Sequence, residues 1–226
     1  MRRSPYEASS FAALAFAMAC VGPAMRGPTA AAAGAGDGGA SPLEVARAFY
    51  GALHGGDAEG AARLVSSPFA RPATESFVKL ANAYRELELA VGERFGADAA
   101  RAVGYAERIA AEDEALGRAK TQVKGEEATV TAGEQTLAML HRVNGAWRIL
   151  LEEALATELG VAGIVLEAEA SLQAAARVAP AIRQGLFDVP DDALEAFRSE
   201  VTVRIQGGKP DLPREAPTPE PGDLTL

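Results

Sequence analysis

Four side chains of this sequence could move a proton near neutral pH from a buried position: Tyr50, His54, Tyr84 and His141. Acid–base work beside a carbonyl needs such groups, with proton affinities tuned by their surroundings. Each also has an ordinary structural use. Tyr50 and Tyr84 fall on apolar helical stripes, where a tyrosine packs its ring and bonds its hydroxyl locally. His54 stands beside Gly55 and Gly56 at the end of a helical run, where a basic ring suits the negative end of the helix dipole. His141 faces Arg148 across a hairpin; the neighbouring cation discourages its protonation, and sheet-surface packing competes with a role as a base. Tyr50, Tyr84 and His141 therefore stand as candidate pocket-lining residues, and no residue is assigned as catalytic.

Other chemistry finds little support. The chain has no Gly-x-Ser-x-Gly, no His-Glu-x-x-His and no Gly-x-x-x-x-Gly-Lys. Gly34-x-Gly36-x-x-Gly39 matches the dinucleotide fingerprint in letters, but no strand precedes it, so no cofactor is implied. One cysteine, Cys20, excludes an internal disulfide, and His54 and His141 are too far apart for a metal-ligand spacing. In 226 residues, 22 Lys and Arg stand against 31 Asp and Glu, a net charge of −9 without any basic cluster. Nucleic acid is thereby excluded as a partner, because phosphate contacts need clustered cations.

The ends look unlike folded protein. Arg2 and Arg3 precede an apolar run at 11–21 and a glycine-rich stretch, the order of a secretory signal, and the run is short for a bilayer span. Residues 1–21 are read as that signal, which places the protein outside the cytoplasm, in the periplasm or secreted. Ala17-Met18-Ala19 offers small residues for cleavage before Cys20. Cleavage there would leave Cys20 first, as in bacterial lipoproteins, where it is acylated and tethers the protein to the membrane. Ala17 stands where those signals usually carry Leu, and the plain alternative for Cys20 is a small apolar residue of the signal. Residues 22–40 read as a flexible linker, and 207–226, with Pro210, Pro213, Pro217, Pro219 and Pro221, as a disordered tail.

Between them, residues 41–206 read as a single α+β domain. "SPLE" at Ser41 forms a capping box ahead of a helix with Leu43, Ala46, Phe49, Tyr50 and Leu53 at helical spacing, stopped by Gly55 and Gly56. Asp57 caps a short helix at 58–65, which Ser66-Ser67-Pro68 breaks. A longer one follows from about Thr74 with Phe77, Leu80, Tyr84, Leu87 and Val91 in a stripe, then another at 99–113. The period then changes. Turn signals at Gly125-Glu126, Ala132-Gly133 and Asn144-Gly145 predict four antiparallel strands, the last pair joined by a two-residue type I′ loop. Helical spacing returns with Leu172, Ala175, Ala176, Ala179, Ile182 and Leu186, bent at Pro180, and a last helix from Asp188-Val189-Pro190 turns Leu194, Phe197 and Val201 inward.

A two-residue loop fixes register, so Val143 faces Ala146, Arg142 faces Trp147, His141 faces Arg148 and Leu140 faces Ile149. One face then carries Ala138, Leu140, Arg142, Trp147, Ile149 and Leu151, with Arg142 stacked on Trp147. The other carries Leu137, Met139, His141, Val143, Ala146, Arg148, Leu150 and Glu152. That much aliphatic surface predicts a cover on both faces. The N-terminal helices would supply one, and the C-terminal helix pair, or a second subunit in a homodimer, the other.

Phe49, Tyr50, Ala52, Gly56, Asp57, Ala61 and Leu64 in "VARAFYGALHGGDAEGAARLV", with Val143, Gly145, Trp147 and Ile149 in "RVNGAWRIL", carry a resemblance. The chain resembles nuclear transport factor 2-like (ketosteroid isomerase-like) proteins over residues 42–66 and 119–153. The resemblance implies helices cupped by a curved antiparallel sheet, and a pocket in which Asp, Tyr or His act in the family's enzymes. No Asp falls in the last two strands, so that acid–base pattern is not carried over. The long helical part at 74–113 and the helices at 160–205 also depart from the family. The favoured expectation is an exported, non-enzymatic domain that binds a small apolar ligand or a protein partner. A cofactor-free lyase, isomerase or hydrolase of the ketosteroid isomerase type, and a lipid-anchored structural envelope protein, are the alternatives.

Overall fold

The computed structural model describes residues 39–151 and 157–208. Residues 1–21 with Cys20, and most of the linker and tail, lie outside them. Seven helices and a four-stranded antiparallel sheet make an α+β fold over the described residues.

Helix α1, Pro42–Gly55, starts where "SPLE" predicts. Ser41 N donates to Glu44 Oε2 at 2.7 Å, Glu44 N donates to Ser41 Oγ at 3.3 Å, and Gly56, at φ 80°, ends the helix. Asp57 caps α2, Ala58–Arg63, by accepting from Gly60 N. Residues 64 and 65 do not continue α2 as expected. They join the sheet, where Val65 bridges in parallel to Ile149. Helix α3, Ala70–Phe95, begins before the expected Thr74, with Pro72 in its first turn, where a missing N–H costs little. The single helix expected at 99–113 is two pieces, α4, Ala97–Ala100, and α5, Tyr105–Arg118, separated at Gly104, whose φ of 72° breaks the spiral.

The strands are β1, Lys120–Lys124, β2, Glu127–Ala132, β3, Gln135–Val143, and β4, Ala146–Ile149, hydrogen-bonded in chain order. Asn144 and Gly145 both have positive φ, the type I′ geometry expected, and the hairpin pairs as its loop dictates. Gly125 and Gly133 are each the first residue of a two-residue turn, so the middle turn is Gly133-Glu134 rather than Ala132-Gly133. A bulge interrupts the β2–β3 pairing: Val130 faces Ala138 and Thr131 faces Thr136, which leaves Leu137 as the extra residue. Strict alternation puts Leu137 on the outer face; the bulge lets it join Ala138 in the core, both buried.

Helix α1 covers the inner face. Ala128, Val130, Ala138, Leu140, Trp147 and Ile149 are buried with Val45, Phe49 and Leu53 in one core. Among the described residues the outer face has no matching cover. Met139, at its centre, is 43% exposed, and Gln122, Lys124 and Glu127 are exposed. The C-terminal helices, α6, Glu158–Arg183, and α7, Pro190–Ile205, pack on α3 and on each other instead. The expected sandwich is therefore corrected within one chain.

The reason lies in a repeat shared by α3 and α6. Ala73, Ser76, Leu80, Ala83, Leu87 and Ala90 recur at alternating three- and four-residue steps, and all are buried. So do Val161, Ile164, Ala168, Ser171, Ala175, Val178 and Ile182. A seven-residue period sustains a seam between two long helices, and small side chains let their backbones come close. Lys79 pairs with Glu169, and Arg183 donates to Glu86 at 2.7 Å and Glu93 at 2.5 Å, so the two helices run parallel. Leu172, expected inward, is exposed because Ser171 and Ala175 hold the seam. Helix α6 continues through Pro180 and, by length and a mean hydropathy of 1.3, is apolar enough to cross a membrane; here it is the partner of α3. Between α6 and α7, buried Glu200 accepts from Arg177 Nη1 at 2.9 Å and Arg204 Nη2 at 2.7 Å.

Candidate functional site

The three candidate pocket residues occupy three separate environments. Tyr50, on the inner side of α1, is buried, and its hydroxyl donates to Leu137 O at 2.8 Å. It therefore ties α1 to the bulge. Phe49 packs edge-on against its ring at 5.7 Å.

Tyr84 is buried on α3 with its ring edge-on to Phe197 of α7 at 5.6 Å. Burial pushes its hydroxyl up to about 12, with the negative charge of Glu167 adding to the effect and Arg108 and Arg198 opposing it. The hydroxyl therefore stays protonated at neutral pH and cannot serve as a base. Tyr84 lines a cavity with Leu87, Val103, Leu194, Phe197 and Arg198, whose volume of about 20 Å³ is room for a water or two, not a substrate. Its wall has no carboxylate. Close by, Arg108 lies over the ring of Tyr105 at 5.6 Å, with Nε and Nη2 buried and unbonded.

His141 is half-buried on the outer face of β3, in a row that runs across the sheet as Lys124, Glu127, His141 and Arg148. It lies on the opposite side of the sheet from Tyr50. On the inner side Arg142 stacks over Trp147 at 5.2 Å, the contact that their register predicts.

His54 is the histidine that finds acidic company. Its Nε2 is 2.9 Å from Glu112 Oε2, and its Nδ1 is 3.6 Å from Asp113 Oδ1, both on α5. A carboxylate only accepts, so the ring donates to Glu112, and the contact clamps the last turn of α1 to α5. This adds a partner 58 residues away to the helix-end role expected of His54. Spacing along the chain carries no trace of such a contact. The two carboxylates sit at opposite ring nitrogens, so they do not converge on a point where a metal or a substrate proton would sit. Among the described residues no group of three His, Cys, Asp or Glu is arranged to hold a metal ion.

What the sheet presents outward differs from what it presents inward. The outer face carries the charged row and Met139, and strand β1 is exposed along its whole length. Comparison with protein-family models, with curated proteins and with solved structures finds no match for this chain.

Proposed function

We propose that the protein is an exported, non-enzymatic interaction domain that binds a protein partner through its sheet. The observation that carries this reading is the open outer face, with Met139 at its centre and one edge strand exposed, on a sheet whose inner face is packed by α1. Met139, with half-buried Val143 and Leu150 on the same face beside a charged row, gives the mixed apolar and polar composition of a binding surface. The dispersal of the acid–base residues supports the same reading. Tyr50 spends its hydroxyl on a backbone carbonyl, His54 faces carboxylates at both nitrogens, and the cavity beside Tyr84 is water-sized. A small apolar ligand, the other occupant expected of such a domain, does not fit that cavity.

Export rests on the order of basic, apolar and glycine-rich residues at the N-terminus, and a tether through Cys20 is one form of it. Kinship with the nuclear transport factor 2-like proteins is part of the proposal; the helix pair α1–α2 against a sheet ending in the Trp147 hairpin supports it.

A photo-reactive side chain at position 139, in protein made in its own host, tests the reading. A discrete cross-linked protein is the expected product. No adduct from position 139, together with saturable thermal stabilisation by a small ligand that Val103→Phe abolishes, would overturn it in favour of a ligand-binding or catalytic pocket.

A further inference from the structure

The sheet has two edges, and the chain treats them differently. The β4 edge is closed by residues 64–66: Ile149 N donates to Leu64 O at 2.7 Å, and Ser66 N donates to Ile149 O at 2.8 Å. Among the described residues the β1 edge is left open, with all five residues exposed and β2 as its hydrogen-bonded neighbour in the sheet.

Register decides which backbone groups face outward. The two-residue turn at Gly125-Glu126 makes Lys124 and Glu127 a hydrogen-bonded pair, and bonding then alternates along the strand. Lys120, Gln122 and Lys124 thus turn their N–H and C=O groups toward β2, while Thr121 and Val123 turn theirs away from the sheet. Two donors and two acceptors stand in line, about 7 Å apart from residue to residue. Unpaired edge groups of this kind are a template for another strand.

The side chains narrow the choice of strand. Lys120 and Lys124 lie on the outer face at the two ends of β1, and the chain has four lysines in all, Lys79, Lys120, Lys124 and Lys209. Pairing with a second copy along the full strand would set Lys120 against Lys124 of the copy, which like charges resist. An incoming antiparallel strand instead places residues four apart opposite the two lysines, on the same face as both. Carboxylates there would be paired. The residue beside Val123, itself 49% exposed, would be apolar.

We propose that the β1 edge receives an extended antiparallel segment of the partner, with carboxylates four residues apart opposite Lys120 and Lys124. This rests on the interaction-domain reading and names its surface and the chemistry of its partner. Across the ladder Lys124 faces Glu127 while Lys120 faces Thr131, so Lys120 carries the less compensated charge, and a carboxylate opposite each lysine is favoured over a like charge.

The test is a titration of the full chain, ¹⁵N-labelled, with the peptide acetyl-Glu-Val-Thr-Thr-Glu-amide. The Thr121 and Val123 amides are expected to shift and to gain protection from exchange. Lys120→Ala with Lys124→Ala should weaken binding about five-fold. Val123→Pro should abolish it while contacts between Gln122 and Thr129 persist, since that N–H is not used in the β1–β2 ladder. Three results would overturn the proposal: both amides left unprotected at millimolar peptide, binding unchanged in Val123→Pro, or self-association through the edge. A cross-linked partner at position 139 with no peptide binding would remove this edge while leaving the interaction-domain reading intact.

Discussion

Tyr50 shows how a residue with catalytic chemistry can be committed to architecture. Its hydroxyl is the donor that satisfies the carbonyl of Leu137 where the bulge disturbs the ladder. Tyr50→Phe should therefore cost about 1–3 kcal/mol, the penalty for a buried acceptor left unpaired, read as a lower urea midpoint with unchanged slope. Tyr84 makes a different test. Its hydroxyl titrates near 10 in the unfolded chain and is pushed up to about 12 in the fold. The protonated form is thus favoured by folding. Its contribution is fully present below pH 10 and is lost as pH rises through 12, an extra loss of roughly 2–3 kcal/mol. Urea melts of the protein and of Tyr84→Phe between pH 9 and 12 should converge or cross as the wild type loses this stability; parallel curves would show that burial does not hold the proton. At this scale the sequence was legible where neighbours set the outcome. Arg142 on Trp147 followed from a two-residue loop, and the stripe of Phe77, Leu80, Tyr84 and Leu87 from helical period. The clamp of His54 on Glu112 was not legible, because it joins helices that only the fold brings together.

Elements were legible to the extent that local signals bound them. The capping box at Ser41 and the Asn144-Gly145 turn fix their own surroundings, and both stand where the pattern puts them. Leu137 shows what alternation misses. A bulge adds one residue to one strand, and no single residue type announces it. In α6 the expected stripe holds at Ala175, Ala179 and Ile182, all buried, and fails at Leu172, whose place in the seam Ser171 takes, because close helix packing needs a small side chain there. This sets a paired prediction. Ala83→Leu, in the α3–α6 seam, should cost about 1–3 kcal/mol by overpacking. Leu172→Ala, on the exposed side of α6, should stay within roughly 0.5 kcal/mol. Chemical denaturation of the two variants checks both, and the reverse order would place the seam elsewhere.

Across the whole molecule, the α+β class and the four-strand meander were legible, and the partner of the C-terminal helices was not. Two helices of equal length with matching seven-residue repeats choose each other, but the alanines and serines interspersed among the larger residues of those repeats are ones that a search for large apolar stripes passes over. Consequently the sheet keeps a side open among the described residues, and the α6–α7 hairpin buries the seam of α3. Loss of residues 158–208 should therefore expose α3 rather than the sheet, giving a chain that binds hydrophobic dye and loses cooperative unfolding while β3–β4 pairing persists locally. Thiol labelling tests the central claim most directly. With Cys20 replaced by Ser, Met139→Cys and Ala175→Cys place single thiols on the outer sheet face and in the helical seam. The account predicts that native protein is modified at position 139 at close to the rate of an unstructured thiol, and at position 175 only as fast as it unfolds. Equal protection at both positions would mean that the outer face is covered, and would contradict the account.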